Sequence, residues 1–290
     1  MQENINASAQ EQVQNTSFEQ IYKIIYEQAK QNPVPPTDVL VNIGHSVVLM
    51  PSSKNEHLGI SGSAQPIEYT GEFWRDGTPK FIRSGTQEYT PPKKLWAEEK
   101  SILGGGVIAI QGAAYLYNEL AQKGSAPNLV VHTGGRPGYL EGTPENENEA
   151  LYMQQAFVKS VGTNMQENTK QVLETQGKTT KDDMRISLEQ AIQNRANSIT
   201  IVAIGIRLPR CKAFIDELIE QNPQYANLQV NLIPAELLMQ QKASQKEKGH
   251  VWQNFWDQFA GSMPYQKTYE DEKIGYENAV AKRYAGTGQT

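Results

Sequence analysis

Thr133-Gly134-Gly135-Arg136 is the segment of this chain best equipped for chemistry, and it ends the apolar run Leu129-Val130-Val131. Two successive glycines permit positive φ and let backbone N–H groups approach a bound anion. Arg136 adds a planar, permanently charged fork suited to phosphate or carboxylate. A plain strand-to-loop turn with a surface arginine explains the same residues equally well.

Other positions carry comparable groups. Gly44-His45-Ser46 closes an earlier apolar run; Gly44 and Ser46 would line a ligand-facing turn, and His45 is an acid or base candidate. A lone histidine also serves as an ordinary hydrogen-bonded wall residue. Glu149 stands in the first turn of a helix, after Glu145 and Glu147. It suits a ribose hydroxyl, a metal-bound water or a general base, and an acidic helix start explains it too. Thr180 and Asp183 read as an N-cap and its capping-box acid. Facing a crevice, that helix N-terminus would also bind an anion.

Arg207-Leu208-Pro209-Arg210 directly follows the apolar run Ser-Ile-Thr-Ile-Val-Ala-Ile at 198–204, and Pro209 suits a first helical position. A helix N-terminus is already positive, so two arginines there require an anionic partner. That partner is either a ligand or an acid such as Glu149. No spacing builds a metal centre, and no Walker loop, G-x-S-x-G, H-E-x-x-H or complete dinucleotide fingerprint follows a strand. Cys211 is the only cysteine, which excludes an intramolecular disulfide and a cysteine-built zinc site. It reads as a small buried residue at a helix start.

The elements that must position these groups alternate. Ser17 with Gln20 makes a capping box for a helix carrying Phe18, Ile21, Tyr22, Ile25 and Ala29 on one side. Strands are expected at 38–46, 129–132, 172–174, 198–204 and 228–233, with helices at about 108–123, 147–160, 180–194 and 209–221. This predicts an α/β fold: a three-layer, Rossmann-like, doubly wound and mainly parallel sheet over residues 17–238. Residues 51–101 interrupt it as an insertion, in which Asp76-Gly77 between β-prone runs signals a hairpin. Residues 1–16 are Gln/Asn-rich and read as disordered. From Met239 the chain reads as a polar linker leading to aromatic C-terminal helices that pack on the domain. Trp252, Phe255, Trp256 and Phe259 lie there at helical spacing.

Composition limits the function classes. The 290 residues are 38% hydrophobic and carry a net charge of −5, with no Lys/Arg block to suit nucleic acid. No run reaches the roughly 20 apolar residues of a membrane span, and the first residues lack signal-peptide features. A cytoplasmic location is the expectation.

Taken in order, the pieces resemble the YdcF-like family, which includes SanA and ElyC and is a bacterial domain of unknown function. The matching pieces are the strand at 38–44, the helix with Ala114-Tyr115-Leu116-Tyr117, the turn Thr133-Gly134-Gly135 and Glu149-Ala150. Thr180 with Asp182-Asp183 and, further on, Arg210 continue the series. The resemblance implies a Rossmann-like core with these motifs at one sheet edge, and envelope-related roles. Arg207 stands where that family has His, and Asp183 where it has Asn, which retains anion binding and removes an acid/base group.

The leading expectation is a pocket for a nucleotide-like or otherwise phosphorylated or carboxylated small molecule, with a nucleotide or adenosyl-type compound as the candidate cofactor. A transferase or hydrolase would use Glu149 or His45 as base. The alternative is a catalytically degenerate protein-interaction module, self-associating through its C-terminal aromatic helices.

Overall fold

The computed structural model describes residues 16–43, 67–73, 79–83, 88–89, 106–134, 149–177, 179–247, 249–261 and 263–282. The chain opens with helix α1 (Phe18–Gln31), whose Ser17–Gln20 capping box satisfies donors in both directions. Its apolar stripe, Phe18, Ile21, Ile25 and Ala29, is buried. Strand β1 (Val39–Ile43) follows, buried at every residue.

The expected hairpin is present as β2 (Ile67–Phe73) paired antiparallel with β3 (Pro79–Arg83), and β4 (Glu88–Tyr89) adds a third strand. The main alternation resumes with α2 (Gly106–Gln122), β5 (Leu129–Thr133), α3 (Glu149–Val161), β6 (Lys170–Glu174) and α4 (Thr180–Gln193). It ends with β7 (Ser198–Ala203), α5 (Leu208–Gln221), β8 (Gln229–Pro234), α6 (Ala235–Gln245), α7 (Gly249–Ala260) and α8 (Met263–Val280).

The five main strands form one parallel sheet in the order β6-β5-β1-β7-β8. Numbered by their sequence within the sheet, this is 3-2-1-4-5, the doubly wound order whose direction reverses beside β1. The central strands β1, β5 and β7 are fully buried and dominated by Val, Ile, Leu and Ala, as a parallel sheet covered on both faces requires. The edge strands β6 and β8 are partly exposed.

Helices α2, α3 and α6 pack together on one face, while α4, α5 and α1 pack on the other. The result is a three-layer α/β fold. Across the amino edge, the Asp38 carboxylate accepts the Asn197 and Ser198 N–H groups at 2.8 and 3.0 Å, fixing β1 against β7.

The polar stretch after Met239 is helix rather than linker, because α6 runs to Gln245. Leu237, Leu238 and Met239 are buried there and hold α6 against α2, so its polar remainder can face solvent. The last helix starts at Met263 and runs to Val280. Residues 1–15 lie outside the described residues. Among the described residues, no helix is long and apolar enough to cross a membrane.

Candidate functional site

A parallel sheet gathers its strand ends at one edge, where the connecting segments turn toward the helices. Thr133 ends β5 in register with Ile43 of β1 and Glu174 of β6. Its side chain is fully buried, and its Oγ1 meets no hydrogen-bond partner among the described residues. Gly134 then makes the turn at φ +153°, a region that side chains disfavour. Its N–H bonds the Glu174 carbonyl at 3.2 Å, and its own carbonyl accepts the Ala150 N–H at 3.1 Å. A Cβ at this position would sit 2.9 Å from the Glu149 Cβ, so the glycine brings the α3 N-terminus down onto the turn.

Three acids and one arginine lie close enough at this edge to act on one another electrostatically. Glu149 and Glu174 are both buried. The Glu174 carboxylate accepts the Gln176 N–H at 2.8 Å and the Gly177 N–H at 2.9 Å, closing the turn into α4. Asp183 and Glu174 crowd the same glycine, since a Cβ on Gly177 would lie 2.7 Å from an oxygen of each. Burial pushes the Asp183 carboxyl up to about 7; the Arg207 guanidinium opposes that shift, and the charges of Glu174, Glu149 and Asp182 add to it. A carboxyl that keeps its proton near neutrality can donate a hydrogen bond, whereas an ionised neighbour only accepts.

Arg207 and Arg210 share an acid as anionic partner, and that acid is Glu272 of α8 rather than Glu149. Arg207 Nε lies 3.2 Å from Glu272 Oε1, and Arg210 Nε lies 2.9 Å from Oε2. Arg210 also donates from Nη2 to Oε1 at 2.9 Å. Gly275, one turn on, leaves room for this, because a Cβ there would be 2.8 Å from Arg210 Cδ. Cys211 beside them is buried, and burial pushes its thiol up to about 12.

A further buried acid lies at the β8 end of the same edge. Glu236, in the first turn of α6, accepts the Gly205 N–H at 3.0 Å. Burial pushes it up to about 7. Its charge raises the phenols of Tyr22, Tyr26 and Tyr265 around it, on top of their own burial.

The capping assignment at α4 needs correction. Thr179, not Thr180, is the N-cap, and its hydroxyl accepts the Asp182 N–H at 3.2 Å and donates to the Asp182 carboxylate at 2.9 Å. That leaves Asp183 out of the cap and turned toward Gly177 and Glu174. Among the expected site residues, Thr133, Gly134, Glu149, Asp183 and Arg207 gather at this edge, and Thr180 opens the helix that brings Asp183 there. Gly44, His45, Ser46, Gly135 and Arg136 lie outside the described residues.

Glu174, Glu236 and Glu272 were not singled out from sequence, although signals exist. Glu174 is the last residue of its strand, and Glu272 falls in phase with the buried stripe Tyr265, Thr268, Tyr276 and Ala279. Among the described residues, no group of three or more His, Cys, Asp or Glu could hold a metal ion. No known protein family, curated protein or solved structure matches the chain.

Proposed function

We propose that the carboxyl edge of the sheet binds a nucleotide-like small molecule, one carrying sugar hydroxyls next to a phosphate or carboxylate. The observation that supports this most is that Glu149, which crowds Gly134, and Glu174 and Arg207 all act electrostatically on the buried Asp183. A bare phosphate would face three carboxyl groups there. Sugar hydroxyls instead suit them: Glu149 accepts, and protonated Asp183 donates. The anionic group then falls to the glycine turn and Arg136, with Arg207 adding positive potential. The 3-2-1-4-5 strand order favours the same edge, since ligands of open α/β sheets lie at such reversals.

The resemblance to the YdcF-like, SanA and ElyC proteins extends this proposal to a transferase or hydrolase of cell-envelope metabolism. Glu149 and His45 are its candidate bases. Turnover that survived in a Glu149→Gln, His45→Ala double variant would discard that assignment.

Titration calorimetry with ribose 5-phosphate, adenosyl compounds and inorganic phosphate tests the binding site. Ribose 5-phosphate should bind at least about tenfold more tightly than phosphate, an advantage of about 1.4 kcal/mol. Glu149→Gln should remove most of that advantage. Equal affinity for the two, or no binding by any compound, would sink the proposal.

A further inference from the structure

Two polar side chains lie beneath the carboxyl edge on the face opposite Asp183, and nothing in the site uses them. Asn42, the penultimate residue of β1, is fully buried, and neither its amide nitrogen nor its amide oxygen has a hydrogen-bond partner among the described residues. His132 stands in register with it on β5 and is equally buried. The His132 Nε2 lies 3.2 Å from Gln171 Oε1, and its Nδ1 has no such partner. An amide oxygen only accepts, so Nε2 carries the proton and Nδ1 presents a lone pair. Burial holds the ring neutral, lowering its pKa to about 4.

Side chains in register on neighbouring parallel strands leave the same face of the sheet. The His132 ring meets Phe157 of α3 at 5.2 Å, and Phe157 meets Tyr117 of α2 at 5.7 Å. Asn42 and His132 therefore lie under α2 and α3, one residue short of the strand ends. That depth is about 3.3 Å, within reach of a group inserted at the edge. The direction of the sheet reverses at the junction between β1 and β7, where Asn42 stands opposite Val202.

An unpaired buried carboxamide is costly, and a core strand has no need of one. Leu40, the preceding residue of β1 on the same face, shows what packing alone selects here. Together the two side chains offer one donor group, the Asn42 amide nitrogen, and two acceptor groups, with no charge. A phosphate would find no cation among them, and a charged group would lose its hydration. A neutral planar edge bearing both N–H and lone-pair positions matches them.

We infer that Asn42 and His132 form a recognition pocket for the nucleobase of the bound ligand. This rests on the proposed sugar-phosphate site and adds the base to it.

The test compares the four nucleoside monophosphates with ribose 5-phosphate by calorimetry, in wild type, Asn42→Leu and Asn42→Val. In wild type, at least one nucleoside monophosphate should bind about tenfold or more tightly than ribose 5-phosphate. In both variants that preference should vanish while ribose 5-phosphate affinity stays. Without ligand, at least one variant should melt higher than wild type by about 2–4 °C, because an unpaired amide has been removed. A base preference that persists in the variants overturns the inference, as does a wild type without one, and the sugar-phosphate site then still stands. Melting temperatures lowered in both variants would show that Asn42 serves the fold, and would also overturn it. If wild type binds neither class of compound, the sugar-phosphate reading falls together with this pocket.

Discussion

Asp183 and Glu236 are acids whose environments keep them protonated near neutrality, and stability should record it. Both have folded pKa values of about 7, raised from 3.8 and 4.5. In the unfolded chain they ionise at the lower values, so between about pH 4 and 7 the native state binds more protons. The stability they contribute is therefore complete below about pH 4 and is lost as pH rises toward 7. Asp183→Asn should stabilise the protein at pH 8 by about 2–4 kcal/mol and leave it unchanged near pH 4. Urea midpoints at the two pH values check this; an equal shift at both would contradict the burial of the carboxyl. Gly134 permits a second test at this scale. Its φ of +153° and the nearby Glu149 Cβ both exclude a side chain, so Gly134→Ala should cost about 2–3 kcal/mol in denaturant unfolding.

Between elements, the junction of α5 with α8 depends on a buried ion pair. Glu272, Arg207 and Arg210 have side-chain exposures of 4%, 8% and 18%. Removing the shared carboxylate would leave two desolvated guanidinium groups, at a cost of about 3–5 kcal/mol. Glu272→Ala should lower the melting temperature accordingly, and restoring part of it by adding Arg210→Ala would identify the loss of the Arg210–Glu272 pair as the cause. A smaller effect belongs to the start of α4. Thr179→Ala removes the N-cap and should cost about 1 kcal/mol, whereas Thr180→Ala should change little. The reverse order in thermal unfolding would restore the capping read from sequence.

For the whole molecule, the C-terminal helices are part of the domain. Phe18 of α1 meets Tyr269 and Tyr276 of α8 edge-on at 5.2 and 5.8 Å, and Tyr276 donates to the Thr16 carbonyl at 2.9 Å. Trp252 and Trp256 of α7 are partly buried against the core, and Trp256 meets the buried Tyr265 of α8 at 5.7 Å. A chain ending at Gln245 would uncover Phe18 and strip both arginines of Glu272. It should lose its single cooperative transition in scanning calorimetry; an unchanged transition would show that α7 and α8 are merely appended.

Much of the sheet was legible in the sequence because parallel strands buried on both faces are short apolar runs between helices. Residues 198–204 and 129–132 carry that signal, and the structure places β7 and β5 there. Ser17 and Gln20 were legible for a related reason, since a capping box is closed within four residues. Local pattern failed where the deciding partner is remote. The polar stretch after Met239 is helical because α2 supplies a surface for it. The arginines at 207 and 210 announced that they needed an anion, but only the return of α8 across α5 made that anion Glu272. The sequence by itself determined the alternation of elements and the approximate position of each main strand. Tertiary structure alone decided which of those ends meet, because strand order and helix docking bring residues far apart in the chain into one low-dielectric edge. There, burial and neighbouring charges set the proton on Asp183.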